Sequence, residues 1–240
     1  MTPPGHPIAQ GELPLGVRDG KRFVGYYAAP IATRGPGVLL LSEMFGVTGP
    51  MRAAADGFAR AGFPTLVPNL FWRATPAGVL AYEGPERAQA FERLAGFDSA
   101  AAVEDMRAAA DVLHAQDACA GTLAAVGFCM GGRLAVLAAL ELGLDAAVSY
   151  YGLGISRDGA RLGELACPVQ LHYGLADEHV PAAEIDAVAR AAAGNPRIEI
   201  LRYPGAGHSF CNAARPTYDA AAAALALDRT LALLGRLAPG

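Results

Sequence analysis

The chain has 240 residues, a length at which α/β folds commonly form one domain, so a single domain over 1–240 is expected. Apolar residues make up 53% and charged residues 18%, which supplies a large core and excludes a disordered chain. With 19 basic and 23 acidic side chains, a net charge of −4 and Lys21 as its only lysine, the protein has no basic stripe to neutralise a phosphate backbone, and nucleic acid is excluded as a partner.

The elements follow in chain order. The stretch 1–14 has neither a basic n-region nor an apolar h-region, which predicts a cytoplasmic protein. Residues 22–29, aromatic and β-branched, and the apolar run 37–41 read as strands. A helix over 51–61 is closed by Gly62, and 64–68 reads as the next strand, completing a βαβ unit. Residues 72–86, rich in Pro, Gly and Thr, read as a long irregular loop of the kind that lines binding sites. An amphipathic helix over 98–116 leads into a buried strand over 122–128. Strands over 146–151, 169–173 and 198–203 alternate with helices over 133–142 and 182–193, and a last helix spans about 218–234. Such alternation predicts a mostly parallel central sheet with helices on both faces. The apolar stretch 136–148 is broken by Glu141 and Asp145, so no membrane span is expected. No dinucleotide, zinc or calcium motif occurs, and neither a cofactor nor a metal is expected.

Cys119, Cys129, Cys167 and Cys211 form no C-x-x-C pair and no His/Cys metal spacing, and most should be buried thiols. Cys129 differs. It is the centre of Gly127-Phe128-Cys129-Met130-Gly131, a G-x-S-x-G-like elbow with sulfur in place of the hydroxyl, at a predicted strand-to-helix junction. Glycines two residues to either side let so tight a turn close, and the helix dipole behind it favours thiolate. Asp177 follows the strand over 169–173, and His208 lies in the glycine-rich loop 205–210 after the last strand. Nucleophile, acid and histidine thus occur in α/β-hydrolase order, each after a strand. Glu178 and His179 beside Asp177 read as solvated neighbours, His6 and His114 as structural or exposed, and His172 as a core or supporting residue.

The segments 42–46 (Ser-Glu-Met-Phe-Gly), 68–71 (Pro-Asn-Leu-Phe), 127–132, 150–152 (Tyr-Tyr-Gly), 177–181 and 205–210 resemble the dienelactone hydrolases (carboxymethylenebutenolidases) of the α/β-hydrolase superfamily. The resemblance runs from Gly25 to about Leu234. It implies an α/β-hydrolase fold and a Cys129-His208-Asp177 triad that opens a small lactone or ester through an acyl-thioester. Glu43 would switch the thiol, and the backbone N–H groups of Met44 and Met130 would form the oxyanion hole. Phe45, Phe91, Tyr150, Phe210 and Asn212 would line the substrate site. Dienelactone enzymes hold the substrate carboxylate with two arginines. Arg87 matches the first, Asn212 stands in place of the second with Arg215 nearby, and Phe91 replaces a tyrosine. Losing one bidentate arginine predicts anion recognition weaker by about 1.5–3 kcal/mol. The expected partner is a small-molecule ester or lactone, and the expected assembly a monomer or small homo-oligomer. A broad carboxylesterase or thioesterase, a redox-responsive thiol protein and a non-catalytic binding protein on a hydrolase fold are the alternatives.

Overall fold

The computed structural model describes residues 5–18 and 20–238. The first four residues of the stretch read above for targeting signals lie outside them. The chain packs as two compact units, one running to Leu123 and one over Ala124–Leu237.

The first unit contains β1 (Ile8–Arg18), β2 (Lys21–Pro30), β3 (Gly35–Leu41), α1 (Gly49–Arg60), β4 (Thr65–Pro68), α2 (Gly84–Ala95) and α3 (Ser99–His114). Its strands lie in the order β1-β2-β4-β3, with β1 and β2 antiparallel, β2 and β4 antiparallel, and β3 and β4 parallel. β3 is buried along its whole length, which is why its sequence is a continuous apolar run with no polar alternation. Helix starts follow local chemistry: Thr48 caps α1, with Pro50 in the first turn, and the Asp98 carboxylate caps α3 by accepting from Ala100 N and Ala101 N.

Among the described residues of this unit, one charged side chain has no exposed surface at all. Asp105, on α3, accepts from Trp72 Nε1 at 3.0 Å and forms a two-pronged pair with the Arg73 guanidinium, which also lies 4.0 Å from the Trp72 ring centroid. The pair ties the segment after β4 to α3. Asp105→Ala removes an acceptor shared by two donors, and a loss of about 2–3 kcal/mol is expected in urea unfolding. That is less than for a fully buried pair, because the Arg73 side chain is 39% exposed and can turn to water.

The second unit begins within β5 (Cys119–Phe128) and continues through α4 (Met130–Leu142), β6 (Ala146–Tyr150), a 3₁₀ segment (Ile155–Glu164), β7 (Val169–Gly174), α5 (Ala182–Ala192), β8 (Ile198–Tyr203) and α6 (Ala220–Gly235). The strands run β5-β6-β7-β8, every neighbouring pair parallel, so their C-terminal ends share one edge. Val136, Val169, Leu171, Ile185 and Val188 form a core between this sheet, α4 and α5.

The alternating elements match the sequence expectation, with shifted ends. Three features do not. β1, α2 and the 3₁₀ segment were not expected, and α2 begins inside the irregular loop expected over 72–86. Among the described residues, no helix is long and apolar enough to cross a membrane.

Candidate active site

β5 ends in six consecutive buried residues, and α4 starts two residues after its end. Cys129 is the single residue between, at φ 57° and ψ −119°, a conformation that costs a side-chain-bearing residue of order 1–3 kcal/mol. The surroundings enforce it. Cys129 N–H donates to Tyr150 O at 3.0 Å, and Cys129 O accepts from Gly132 N at 2.9 Å and Leu153 N at 3.3 Å. The glycine requirement is steric: a Cβ on Gly127 would lie 1.9 Å from Gly131 O. Cys129 is 6% exposed, and Met130 occupies the first turn of α4, where backbone N–H groups have no intrahelical partner.

Asp177 follows β7 and His208 follows β8, on the same edge of the sheet as Cys129. Their loops are stitched together by backbone bonds, Leu175 N to Tyr203 O at 3.0 Å and Ala176 N to Ala206 O at 2.9 Å. The structure brings the two side chains into contact: His208 Nδ1 lies 2.8 Å from Asp177 Oδ2. Asp177 Oδ1 accepts from His179 N at 2.7 Å and Val180 N at 3.0 Å. Burial raises the Asp177 pKa, but the His208 hydrogen bond and charge, with the two backbone donors, outweigh it and leave the carboxyl below its ordinary value. A carboxylate that accepts from Nδ1–H leaves His208 Nε2 as the basic nitrogen. Thr217 Oγ1 donates to His208 O and fixes the loop behind the ring.

Behind these loops an aromatic ladder crosses the sheet. Phe128 stacks on Tyr150 at 4.7 Å, Tyr150 on His172 at 4.7 Å, and His172 on Tyr203 at 5.7 Å. Tyr150 is buried in it, its hydroxyl on Thr230 Oγ1 and Ala226 O of α6. Phe210 is fully buried against Tyr151 and Tyr203. Asn212 is buried with Oδ1 accepting from Ala214 N, and its O accepts from Arg215 N.

His172 is a core residue, as expected from its place within a strand. Tyr203 Oη accepts from Arg229 at 3.1 Å and lies 2.7 Å from His172 Nδ1, while Nε2 is buried with no hydrogen-bond partner among the described residues. Burial first, then the Arg229 charge, push the His172 pKa down to about 3. An unfolded histidine titrates near 6.5, so on acidification the unfolded chain binds this proton first. His172 leaves stability unchanged above about pH 6.5. Below that it lowers stability by up to about 1.4 kcal/mol per pH unit, until its folded value is reached. Asp177, with its depressed pKa, loses stability only in a lower window, as pH falls through its folded value. Urea midpoints should therefore fall between about pH 6.5 and 4.5 in the wild type and less steeply in His172→Gln.

The remaining predicted site residues lie in the first unit. Glu43, Met44 and Phe45 follow β3 and are buried, with Gly46 N donating to Glu43 O at 3.1 Å. Phe45 packs edge-on against Tyr82, whose hydroxyl lies 3.0 Å from Thr48 Oγ1. Arg87 and Phe91 lie on the exposed side of α2, the guanidinium 5.0 Å from the ring centroid. The sequence reading missed Arg93 on the same helix. Its guanidinium donates to Met44 O, Gly78 O and Pro76 O and sits 3.9 Å from the Phe71 ring centroid, joining the turn after β3 to the loop before α2. Burial lowers its pKa to about 10, which leaves it charged at neutral pH. Thr217 was also missed, and the ring of His179, read above as a solvated neighbour, is exposed and lies 4.8 Å from that of His208. Among the described residues, no group of three or more His, Cys, Asp or Glu side chains is placed to hold a metal ion.

Known proteins share this arrangement of elements. A sequence profile described as the dienelactone hydrolase family matches residues 23–238. A carboxymethylenebutenolidase from Pseudomonas putida is 33% identical over 220 residues, spanning 91% of this chain and 93% of that protein. Carboxymethylenebutenolidase 1 from Cupriavidus pinatubonensis is 33% identical over 221 residues, 92% and 94% of the two chains. The crystal structure of a candidate dienelactone hydrolase from Klebsiella pneumoniae matches with a TM-score of 0.81 at 25% identity, covering 96% of this chain and 100% of that one. The fold is that of an α/β-hydrolase, built on mostly parallel strands with helices, and the chain belongs to the dienelactone hydrolase family, as a hydrolase acting on esters.

Proposed function

We propose that the protein opens a small lactone or ester by covalent catalysis on Cys129, with His208 as general acid–base and Asp177 as its orienting carboxylate. The observation that carries this is the Asp177–His208 hydrogen bond on the same strand edge as a cysteine held at positive φ. His208 Nε2 takes the thiol proton, and the sulfur adds to the substrate carbonyl carbon. The resulting oxyanion collapses, expelling an enolate or alkoxide that takes a proton from the imidazolium, and leaves an acyl-thioester. Water, giving its proton to Nε2, then attacks that carbonyl; the second tetrahedral intermediate releases the acid and returns a thiol. An enolate is a good leaving group, so opening an enol lactone needs less general-acid help than cleaving an amide.

The family resemblance supplies the remaining roles: Glu43 controls the thiol, Met130 N–H and Met44 N–H hold the oxyanion, and Arg87 holds a substrate carboxylate. Phe45, Phe91, Tyr150, Phe210 and Asn212 belong to the substrate-site assignment by the same resemblance. Asn212 in place of a second arginine favours substrates less dependent on a carboxylate, including simple carboxylic esters. Purified protein incubated with a dienelactone and with p-nitrophenyl acetate tests this. Both should be hydrolysed, and Arg87→Ala should raise KM for the anionic lactone about ten- to hundredfold while leaving the neutral ester unchanged. Hydrolysis of neither substrate above the buffer rate overturns the proposal.

A further inference from the structure

We propose that His179 is a positioning residue that fixes the ring plane of His208. The proposal extends the hydrolase reading by naming a residue outside its triad. A single hydrogen bond from Nδ1 holds one corner of the His208 imidazole but leaves the ring free to hinge about that bond, and hinging swings Nε2 away from any nucleophile. Ring contacts remove this freedom. Among the described residues, His208 has two: Tyr151, with centroids 5.1 Å apart at 60°, and His179, 4.8 Å apart at 80°. The second is the edge-to-face geometry that aromatic rings favour.

His179 is built into the turn that holds the acid. Its backbone N–H and that of Val180 both donate to Asp177 Oδ1, while Asp177 Oδ2 meets His208 Nδ1. The same short turn therefore sets the position of the carboxylate that binds one corner of the His208 ring and of the imidazole that packs against the ring. Tyr151 is anchored separately, its N–H donating to His172 O at 2.8 Å and its ring packed on Phe210. His179 itself is exposed, so its side chain can be cut back without opening a cavity in the core, and a kinetic effect is separable from a folding defect.

The test is a ring-for-ring comparison. His179→Ala should lower kcat for p-nitrophenyl acetate about three- to tenfold, with KM and the thermal midpoint nearly unchanged, whereas His179→Phe should restore kcat to within about twofold of wild type. A second readout needs no turnover. The downfield proton resonance of His208 Nδ1–H, assigned by its loss in His208→Gln, should be sharp in the wild type and in His179→Phe and broadened in His179→Ala. Unchanged kcat and an unchanged resonance in His179→Ala overturn the proposal, as does a His179→Phe variant as impaired as His179→Ala. Cys129→Ala is assayed in parallel. Wild-type turnover by that variant would defeat the hydrolase reading, and the resonance comparison alone would then decide the role of His179.

Discussion

Cys129→Ala is expected to lower kcat for a lactone or ester by at least about 10⁴-fold, with the thermal midpoint essentially unchanged. The substitution removes only the sulfur at a turn whose shape is set by backbone bonds to Tyr150, Gly132 and Leu153, so it deletes the proposed nucleophile and leaves the turn intact. His208→Ala should be about as damaging, because it removes the imidazole proposed to accept the thiol proton. Asp177→Asn should cost about 10³–10⁴-fold through a different route. Asp177 Oδ1 already accepts two backbone N–H bonds, so an asparagine must keep its oxygen there and turn its amide N–H₂ toward His208. His208 Nδ1 then becomes an acceptor, the proton moves to Nε2, and the ring can no longer take a proton from sulfur. Steady-state kinetics of the three variants on one substrate, with circular dichroism to confirm folding, measure these effects.

Gly127→Ala should be the most disruptive small substitution in the chain. The added methyl would lie 1.9 Å from Gly131 O and 2.3 Å from its carbonyl carbon, both backbone atoms at the start of α4, so relief requires moving the helix away from β5. A loss above about 4 kcal/mol in urea unfolding is expected, placing the variant among the rare severe single mutants, and any folded fraction should lack hydrolytic activity. Gly57→Ala is the matched control. Gly57 sits exposed inside α1 with nothing within 4 Å of the place an added methyl would take, and there the same change should stabilise by about 0.5–1 kcal/mol. Opposite signs at two glycines would show that the elbow, and not glycine replacement in general, is responsible.

The parallel core was legible in the sequence because its signals are strong and local. β3 and the end of β5 are buried on all sides and therefore read as unbroken apolar runs, and α1 and α3 carry caps and apolar stripes. The elements the sequence hides are weakly patterned. β1 is an antiparallel edge strand interrupted by Gly11, Pro14 and Gly16, with a register shift between the last two, a composition tolerated only where one side of the strand is unpaired. α2 buries only Ala90 and so carries no apolar stripe, and the 3₁₀ segment buries only Ile155 and Leu162. For the proposed site, the placement of Cys129, Asp177 and His208 after β5, β7 and β8 was legible because each follows a strand in a recognisable order. Arg93 and Thr217 were not, since both act by donating to backbone carbonyls, 49 and nine residues away, that no side-chain pattern marks, and His179 reads in the sequence as a solvated neighbour because ring contacts leave no trace in residue spacing.

Trapping the covalent intermediate tests the central claim most directly. Wild-type protein mixed with excess p-nitrophenyl acetate and quenched in acid within the first turnovers should carry one acetyl group, and peptide mapping should place it on Cys129, with a burst of p-nitrophenol equal to the active enzyme. Rapid hydrolysis with no burst and no acyl group on Cys129, or an unchanged rate in Cys129→Ala, would contradict the account.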